Sequence, residues 1–381
     1  MRRMKGAAGL LTALLLAFQL SAQTFALANE DNGIKVVPVN FTHNGYSYEI
    51  EGVAKSTDGD YQMKSPARLA ARKLPSTYDP RSSGEITTVK DQASTGACWA
   101  FSALACAEQD LIKKGLENPS TEFSVPALVL SSNSGTATGK DDFSSGGNWL
   151  FAASALANGQ GLCYEDYEPF LESGTGNMIV SENKKSVSEY RLNYVMELSS
   201  TTQVKRKIME LGAVSASYFA GNGYMNHNNT AYYDPDASKN TIINHSVTVV
   251  GWDDNYSKDN FRYKPANNGA WLVKGSWGAD QDNDGFYWVS YDEAEFGQFC
   301  CYDFEESCDN TYHYSKMTGY VVNASNDGSV YGANVFTAKA DEKLDKAGFM
   351  YVGKTGSADY TLSVYTCLLY TSPSPRDRQK S

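Results

Sequence analysis

Histidine and positive charge are both scarce in this 381-residue chain. It contains four histidines, and 44 acidic residues outnumber 33 lysines and arginines, which gives a net charge of −11 at pH 7. Such a chain is repelled by polyanions, so its composition argues against nucleic acid and anionic membranes as partners. Apolar residues make up 41% and charged residues 20%, which is typical of a globular protein.

Long apolar runs are missing after the N-terminus, so no later segment is expected to span a bilayer. The N-terminus begins "MRRMK", continues with an apolar run over about residues 7–20, and reaches "ALA" at Ala28. This order predicts a secretory signal peptide over residues 1–28. An uncleaved anchor is the alternative, but the run is short and is interrupted by Thr12 and Gln19. We therefore expect an exported protein, either secreted or at the cell surface.

The C-terminal stretch "CLLYTSPSPRDRQKS", residues 367–381, matches the translation of a transposon mosaic-end sequencing adaptor. We interpret it as an artefact that truncates the preceding segment; an ordinary disordered tail is the alternative. Residues 309–366 are rich in tyrosine and strand-like, and they are predicted to begin a separate β domain. Residues 29–72 are polar and weakly patterned, which favours a pro-segment or N-terminal extension.

Helical patterns precede strand-like patterns, which predicts an α+β fold. One helix is predicted from Cys98 to a stop at Gly115, and another over "TTQVKRKIMELG", with Thr201 or Thr202 as N-cap and Gly212 as terminator. Four strand-like runs follow: "AVSASYF", "HSVTVVGW", "GAWLVKG" and "GFYWVSY".

Cys98 has the surroundings of a nucleophile. In "DQASTGACWAFSA" it stands before Trp99 at the predicted helix start, where the helix dipole favours a thiolate. Its own backbone N–H and the side-chain amide of Gln92 can stabilise an oxyanion there.

A thiol nucleophile needs a base, and His245 is the best placed histidine. His43 lies in the predicted pro-segment, His227 lies in a loop, and His313 lies beyond the change in composition. His245 opens the strand-like run "HSVTVVGW", where an imidazole is held rigidly.

Four ordered motifs carry a family resemblance: "VKDQASTGACWAFSA", "GGN", "NHSVTVVGWDD" and "WLVKGSWG". Together they resemble papain-like cysteine peptidases over residues 73–303, and especially exported bacterial members that continue into a lectin-like β domain. The Cys98–His245 separation falls within the range of about 130–150 residues for this type. The resemblance implies a two-lobed fold, with a helical lobe and a β-rich lobe, followed by the start of a β-sandwich-like domain at 309–366.

The resemblance assigns roles residue by residue. Cys98 is the expected nucleophile, His245 the general base and acid, and Gln92 the oxyanion-hole side chain. Gly146 and Gly147 are expected on the wall of the substrate cleft, with an ordinary turn as the alternative. Trp277 is expected to shield His245, with a plain core aromatic as the alternative.

Two positions depart from the family pattern. Gly275 stands where the family usually has the asparagine that orients the histidine, so we expect weakened catalysis. Thr95 stands where many relatives have a disulfide cysteine.

The remaining polar and cysteine motifs predict less. "DQDNDG" resembles half of a calcium loop, but Tyr291 replaces the closing glutamate, so a polar turn is favoured and no metal is expected. Cys106 is expected to be buried, while Cys163, Cys300, Cys301 and Cys308 are candidates for one or two disulfides.

The leading hypothesis is a cofactor-free cysteine endopeptidase that acts on proteins or peptides. The β domain is a candidate for binding glycans or proteins at the cell surface. An inactive surface binding module is the main alternative because of Gly275, and a Cys-His acyltransferase or transglutaminase is the third.

Overall fold

The computed structural model describes most of the central part of the chain. The described residues are 19–20, 34–43, 46–55, 73–133, 143, 146–157, 159, 162–167, 169–170, 189–221, 223–228, 230–236, 243–279, 282–307, 310–312, 336–340, 342–344 and 347–348. Cys308, His313, the tail at 367–381 and nearly all of the predicted signal peptide lie outside them. Within these residues no helix is both long and apolar enough to cross a membrane.

The chain divides into two compact units. One comprises residues 1–21, 73–337 and 347–350, and the other comprises residues 22–72, 338–346 and 351–381. In the second unit, β2 (Ile34–His43) pairs antiparallel with β3 (Tyr46–Lys55). In the first, β1 (Gln19–Leu20) pairs with β12 (Ala347–Gly348).

The described residues of the first unit form four α-helices: α1 (Cys98–Lys113), α2 (Val125–Asn133), α3 (Trp149–Ala157) and α4 (Thr201–Leu211). The prediction of α1 from Cys98 is confirmed. The predicted cap of α4 is wrong by one residue: Ser200 is the N-cap, because its extended backbone lets the hydroxyl accept a hydrogen bond from the Gln203 N–H. Gly212 ends α4 as predicted.

One eight-stranded sheet organises the first unit, in the order β5-β11-β6-β8-β9-β10-β7, with β4 paired to β8. All neighbours are antiparallel except β10 and β7. The strands are β4 (Thr77–Tyr78), β5 (Tyr190–Glu197), β6 (Val214–Tyr218), β7 (Ala231–Tyr232), β8 (His245–Asp253), β9 (Ala270–Lys274), β10 (Phe286–Ser290) and β11 (Gly297–Glu306). The predicted α+β order is therefore confirmed.

The two larger hydrophobic cores of the described residues flank the sheet, as a two-lobed fold requires. The first packs α1, α2 and α3 with residues of β5 and β11, and the second packs α4 against β6, β8, β9 and β10. Helix α1 is central and almost wholly buried, which explains its lack of a polar face. The buried carboxylates it carries are paired: Glu108 with Lys90, and Asp110 with Lys114.

The cysteines mostly serve as small apolar side chains. Cys106 is buried in the first core, as predicted. Cys300 and Cys301 are buried free thiols, so the predicted disulfides that involve them are wrong. Because neighbouring strand residues point to opposite faces, Cys300 packs in the first core and Cys301 in the second.

Candidate active site

Cys98 is the first residue of α1, at the positive end of the helix. Its N-cap, Ala97, has φ −87° and ψ 12° and offers no side-chain cap, so backbone N–H groups remain available at this end. The Cys98 side chain is buried, and this burial raises the pKa of the thiol. Hydrogen-bonding groups near the sulfur lower this pKa. They are the backbone N–H and the hydroxyl of Ser246 and the backbone N–H groups of Trp99 and Cys98.

His245 is the first residue of β8 and lies between two aromatic rings. The Trp277 indole stacks on the imidazole at a centroid distance of 4.4 Å and an interplanar angle of 11°. The Tyr218 ring contacts it edge-on at 5.9 Å, and Tyr218 is also the cross-strand neighbour of His245. Trp277 is 39% exposed while His245 is 5% exposed, so the indole separates the imidazole from solvent.

The hydrogen bonding of the imidazole is incomplete. His245 Nε2 is buried and has no hydrogen-bond partner among the described residues. Burial lowers the pKa of His245 to about 4, so the neutral ring is favoured in this conformation. An unpaired buried imidazole nitrogen is costly.

Gly275 directly follows β9, and its N–H donates to Gly285 O at 3.1 Å. A Cβ at this position would lie 3.1 Å from Gly285 O and 3.4 Å from Tyr287 Cε1. The site is therefore tight for a side chain, though a small movement would admit one.

Gln92 is held in a defined orientation beside the start of α1. Its Nε2 donates to Thr95 O at 2.8 Å, and its Oε1 accepts from Ser276 Oγ at 2.6 Å. Its backbone N–H also donates to Ser276 O at 2.7 Å. The amide nitrogen has a second N–H, and this one can serve an oxyanion.

Gly146 and Gly147 lie just before α3. Gly146 has a φ of +74°, which favours glycine. A Cβ on Gly147 would lie 2.4 Å from the Trp99 Nε1, so the backbone there approaches the indole too closely for any other residue. The pair therefore lies next to the residue that follows Cys98.

Other candidates from the sequence lie elsewhere. His227 is exposed in the loop between β6 and β7. Of the possible calcium loop, Asp280 lies outside the described residues, and Asp282–Gly285 form a short turn between β9 and β10. Asn283 and Asp284 have positive φ there, as tight polar turns require.

Sequence reasoning missed three contributors to this site. Ser276 orients Gln92, Tyr218 contacts His245, and Ser246 lies beside the Cys98 sulfur. In the sequence, Ser276 directly precedes Trp277 and Ser246 directly follows His245. Their contacts, however, are made with residues far away in the chain, and the sequence alone does not reveal them.

A thiol at a helix start, next to the residue that follows a strand-borne imidazole and close in the chain to an oriented amide, is typical of the class of cysteine-nucleophile hydrolases. The model of the papain family of cysteine proteases matches residues 74–327. The chain belongs to this family, and its fold is papain-like.

Solved structures of Cwp84 are similar to this chain. The clostridial cysteine protease Cwp84 after propeptide cleavage is 31% identical, with a TM-score of 0.56 and coverage of 61% of this chain and 59% of that one. The cysteine protease and lectin-like domains of Cwp84, a surface layer associated protein of Clostridium difficile, are 30% identical. Their TM-score is 0.59, with coverage of 65% and 56%.

Curated relatives include mouse cathepsin K, 24% identical over 56% of this chain and 59% of the relative. Bovine cathepsin S is 29% identical over 56% and 60%. The chain thus spans about three fifths of the length of these relatives.

Proposed function

We propose that this chain is an exported endopeptidase that hydrolyses peptide bonds through a thioacyl intermediate on Cys98. The observation that carries this proposal is the position of Cys98 at the start of α1, beside the residue that follows His245. The substrates are proteins or peptides, as the family implies.

The reaction follows from the roles of three residues. Cys98 Sγ attacks the peptide carbonyl carbon, and the second N–H of the Gln92 amide and the Cys98 backbone N–H stabilise the oxyanion. His245 carries the thiol proton to the leaving amine, and the C–N bond breaks. His245 then takes a proton from water, which attacks the thioester carbonyl carbon. The C–S bond breaks, the acid leaves, and His245 returns the proton to the Cys98 thiolate.

Gly146 and Gly147 are proposed to form one wall of the cleft, where an extended substrate backbone can pair with the chain. Their lack of side chains leaves the backbone accessible next to Trp99.

Export and surface location rest on the predicted signal peptide at 1–28, and one similar protein is surface layer associated. The predicted β domain at 309–366 is proposed to bind glycans or proteins. The lectin-like domains of Cwp84 favour this assignment.

A second candidate is a weakened peptidase retained as a binding module. The unpartnered His245 Nε2 favours it, together with the glycine at position 275. The presence of Cys98, His245 and Gln92 in the chain favours the active enzyme.

The test is hydrolysis of unfolded protein by the full chain and by Cys98→Ala. The peptidase predicts cleavage products that disappear in the variant, with both proteins folded by circular dichroism. Equal, background-level cleavage by both folded proteins after removal of the predicted pro-segment would instead favour the binding module.

A further inference from the structure

A buried row of hydroxyl groups joins β6 and β8 beneath the start of α1. The register pairs Ser217 with Ser246, and Ser215 with Thr248. The hydroxyls of Ser217 and Ser246 lie 3.1 Å apart. All four residues are at most 7% exposed. Buried hydroxyls require partners, so each group in this row is positioned by its neighbours.

Helix α1 is fixed over this row by Ser102. The Ser102 hydroxyl lies 2.8 Å from Ser215 Oγ and donates to Val247 O at 2.7 Å. Ser102 stands four positions after Cys98, so the two side chains share one face of the helix. Cys98 therefore lies one turn further along the row, at the pair formed by Ser217 and Ser246.

The surroundings of the Cys98 sulfur agree with this placement. Burial disfavours the thiolate, and both the backbone N–H and the hydroxyl of Ser246 favour it. Among titratable groups, Tyr287 on β10 interacts electrostatically with this sulfur, and His245 directly precedes Ser246 on β8. The Tyr287 hydroxyl is bonded to that of Tyr218 at 2.9 Å.

We propose that Ser246 is a positioning residue for the nucleophile: its hydroxyl donates a hydrogen bond to the Cys98 thiolate while it accepts one from Ser217. This inference rests on the proposed role of Cys98. Hydrogen bonds to a charged group are stronger than neutral ones, so the Ser246 hydroxyl favours the thiolate directly. It thereby makes the thiolate less dependent on His245, whose Nε2 has no partner among the described residues.

The test is the pH dependence of Cys98 alkylation by iodoacetamide in the full chain, followed by mass spectrometry. Ser246→Ala is expected to raise the midpoint of alkylation by about one pH unit, and to slow alkylation near pH 6 about tenfold. Ser217→Ala should shift the midpoint less, in the same direction. Ser246→Thr keeps the hydroxyl and should restore the original midpoint.

Ser215→Ala is the matched control. Like Ser217→Ala, it removes a buried hydroxyl from β6, but the hydroxyl of Ser215 contacts Ser102, whereas that of Ser217 contacts Ser246. An unchanged midpoint in folded Ser246→Ala, or an equal shift in Ser215→Ala, would overturn the proposal. If Ser246→Ala does not fold, the shift in Ser217→Ala decides. Peptide hydrolysis by the parent chain is measured separately. If the parent is inactive but Ser246→Ala still shifts the alkylation midpoint, the proposed peptidase activity is refuted and the proposed hydrogen bond is not.

Discussion

The indole of Trp277 stacks on the imidazole of His245, with a centroid distance of 4.4 Å and an angle of 11° between the two ring planes. With Tyr218 against the edge of the same ring, aromatic packing restrains the imidazole where the family usually employs an asparagine side chain. Packing fixes the plane of a ring, whereas a hydrogen bond also fixes its tautomer.

Removal of the indole should expose the imidazole to water. Because burial lowers the pKa of His245 to about 4, Trp277→Ala should raise that pKa toward the ordinary value near 6.5. NMR titration measures it, with His245→Ala to assign the signal. Tyr263→Ala removes a similarly exposed aromatic residue and should leave the pKa unchanged. A His245 pKa that stays near 4 without the indole would show that Trp277 does not control its hydration.

An asparagine at position 275 should increase turnover. Gly275→Asn supplies a side-chain amide for His245 Nε2, and a gain of about tenfold in kcat corresponds to about 1.4 kcal/mol of barrier. The new Cβ crowds Gly285 O and Tyr287, so a loss of about 1 kcal/mol in stability is expected.

Gly275→Ala is the control for this substitution, because it has the same steric cost without the amide. Its kcat should not rise. A folded Gly275→Asn enzyme with the turnover of the parent would contradict the explanation of weakened catalysis.

Acid should destabilise the fold through His245. Its pKa is about 4 in the folded state and about 6.5 when unfolded, so the unfolded state binds the proton first as the pH falls. The contribution to unfolding free energy is fully present above pH 6.5 and is lost progressively toward pH 4, in total about 3 kcal/mol.

Urea unfolding at pH 7, 5.5 and 4 measures this loss, and His245→Gln should remove it. Burial raises the pKa values of Asp110 and Glu293 to about 7, which has the opposite effect on stability over the same range. The relevant quantity is therefore the difference in unfolding free energy between the parent and His245→Gln at each pH. Parallel stability curves for the two proteins would refute the prediction.

Gly147 should not tolerate a side chain. Gly147→Ala places a Cβ 2.4 Å from Trp99 Nε1, so the indole or the loop must move, at a cost of about 1–3 kcal/mol. The midpoint temperature of thermal unfolding and the rate of peptide hydrolysis should both decline.

Gly115→Ala is the comparison, since Gly115 has a φ of +70° but open space around it. It should cost about 1 kcal/mol through backbone strain alone and leave hydrolysis unchanged. Equal hydrolysis by Gly147→Ala and the parent would show that the Trp99 contact is not needed in the cleft.

Much of the fold was predictable because its signals are local. The start of α1 at Cys98 and the end of α4 at Gly212 are confirmed, since glycine, capping and apolar spacing act within a few residues. The cap of α4 was missed by one position because serine and threonine are adjacent there. Cys300 and Cys301 were wrongly considered as disulfide candidates because a count of cysteines does not reveal that they face opposite cores.

By itself, the sequence determined which groups are present: a thiol at a helix start, an imidazole at a strand start, and no amide at position 275. Tertiary structure alone decided what these groups touch. Ser217 meets Ser246, and Tyr218 meets His245, only because β6 pairs with β8 in one register. That register depends on packing between segments far apart in the chain, and a shift of one residue would turn every one of these side chains to the opposite face.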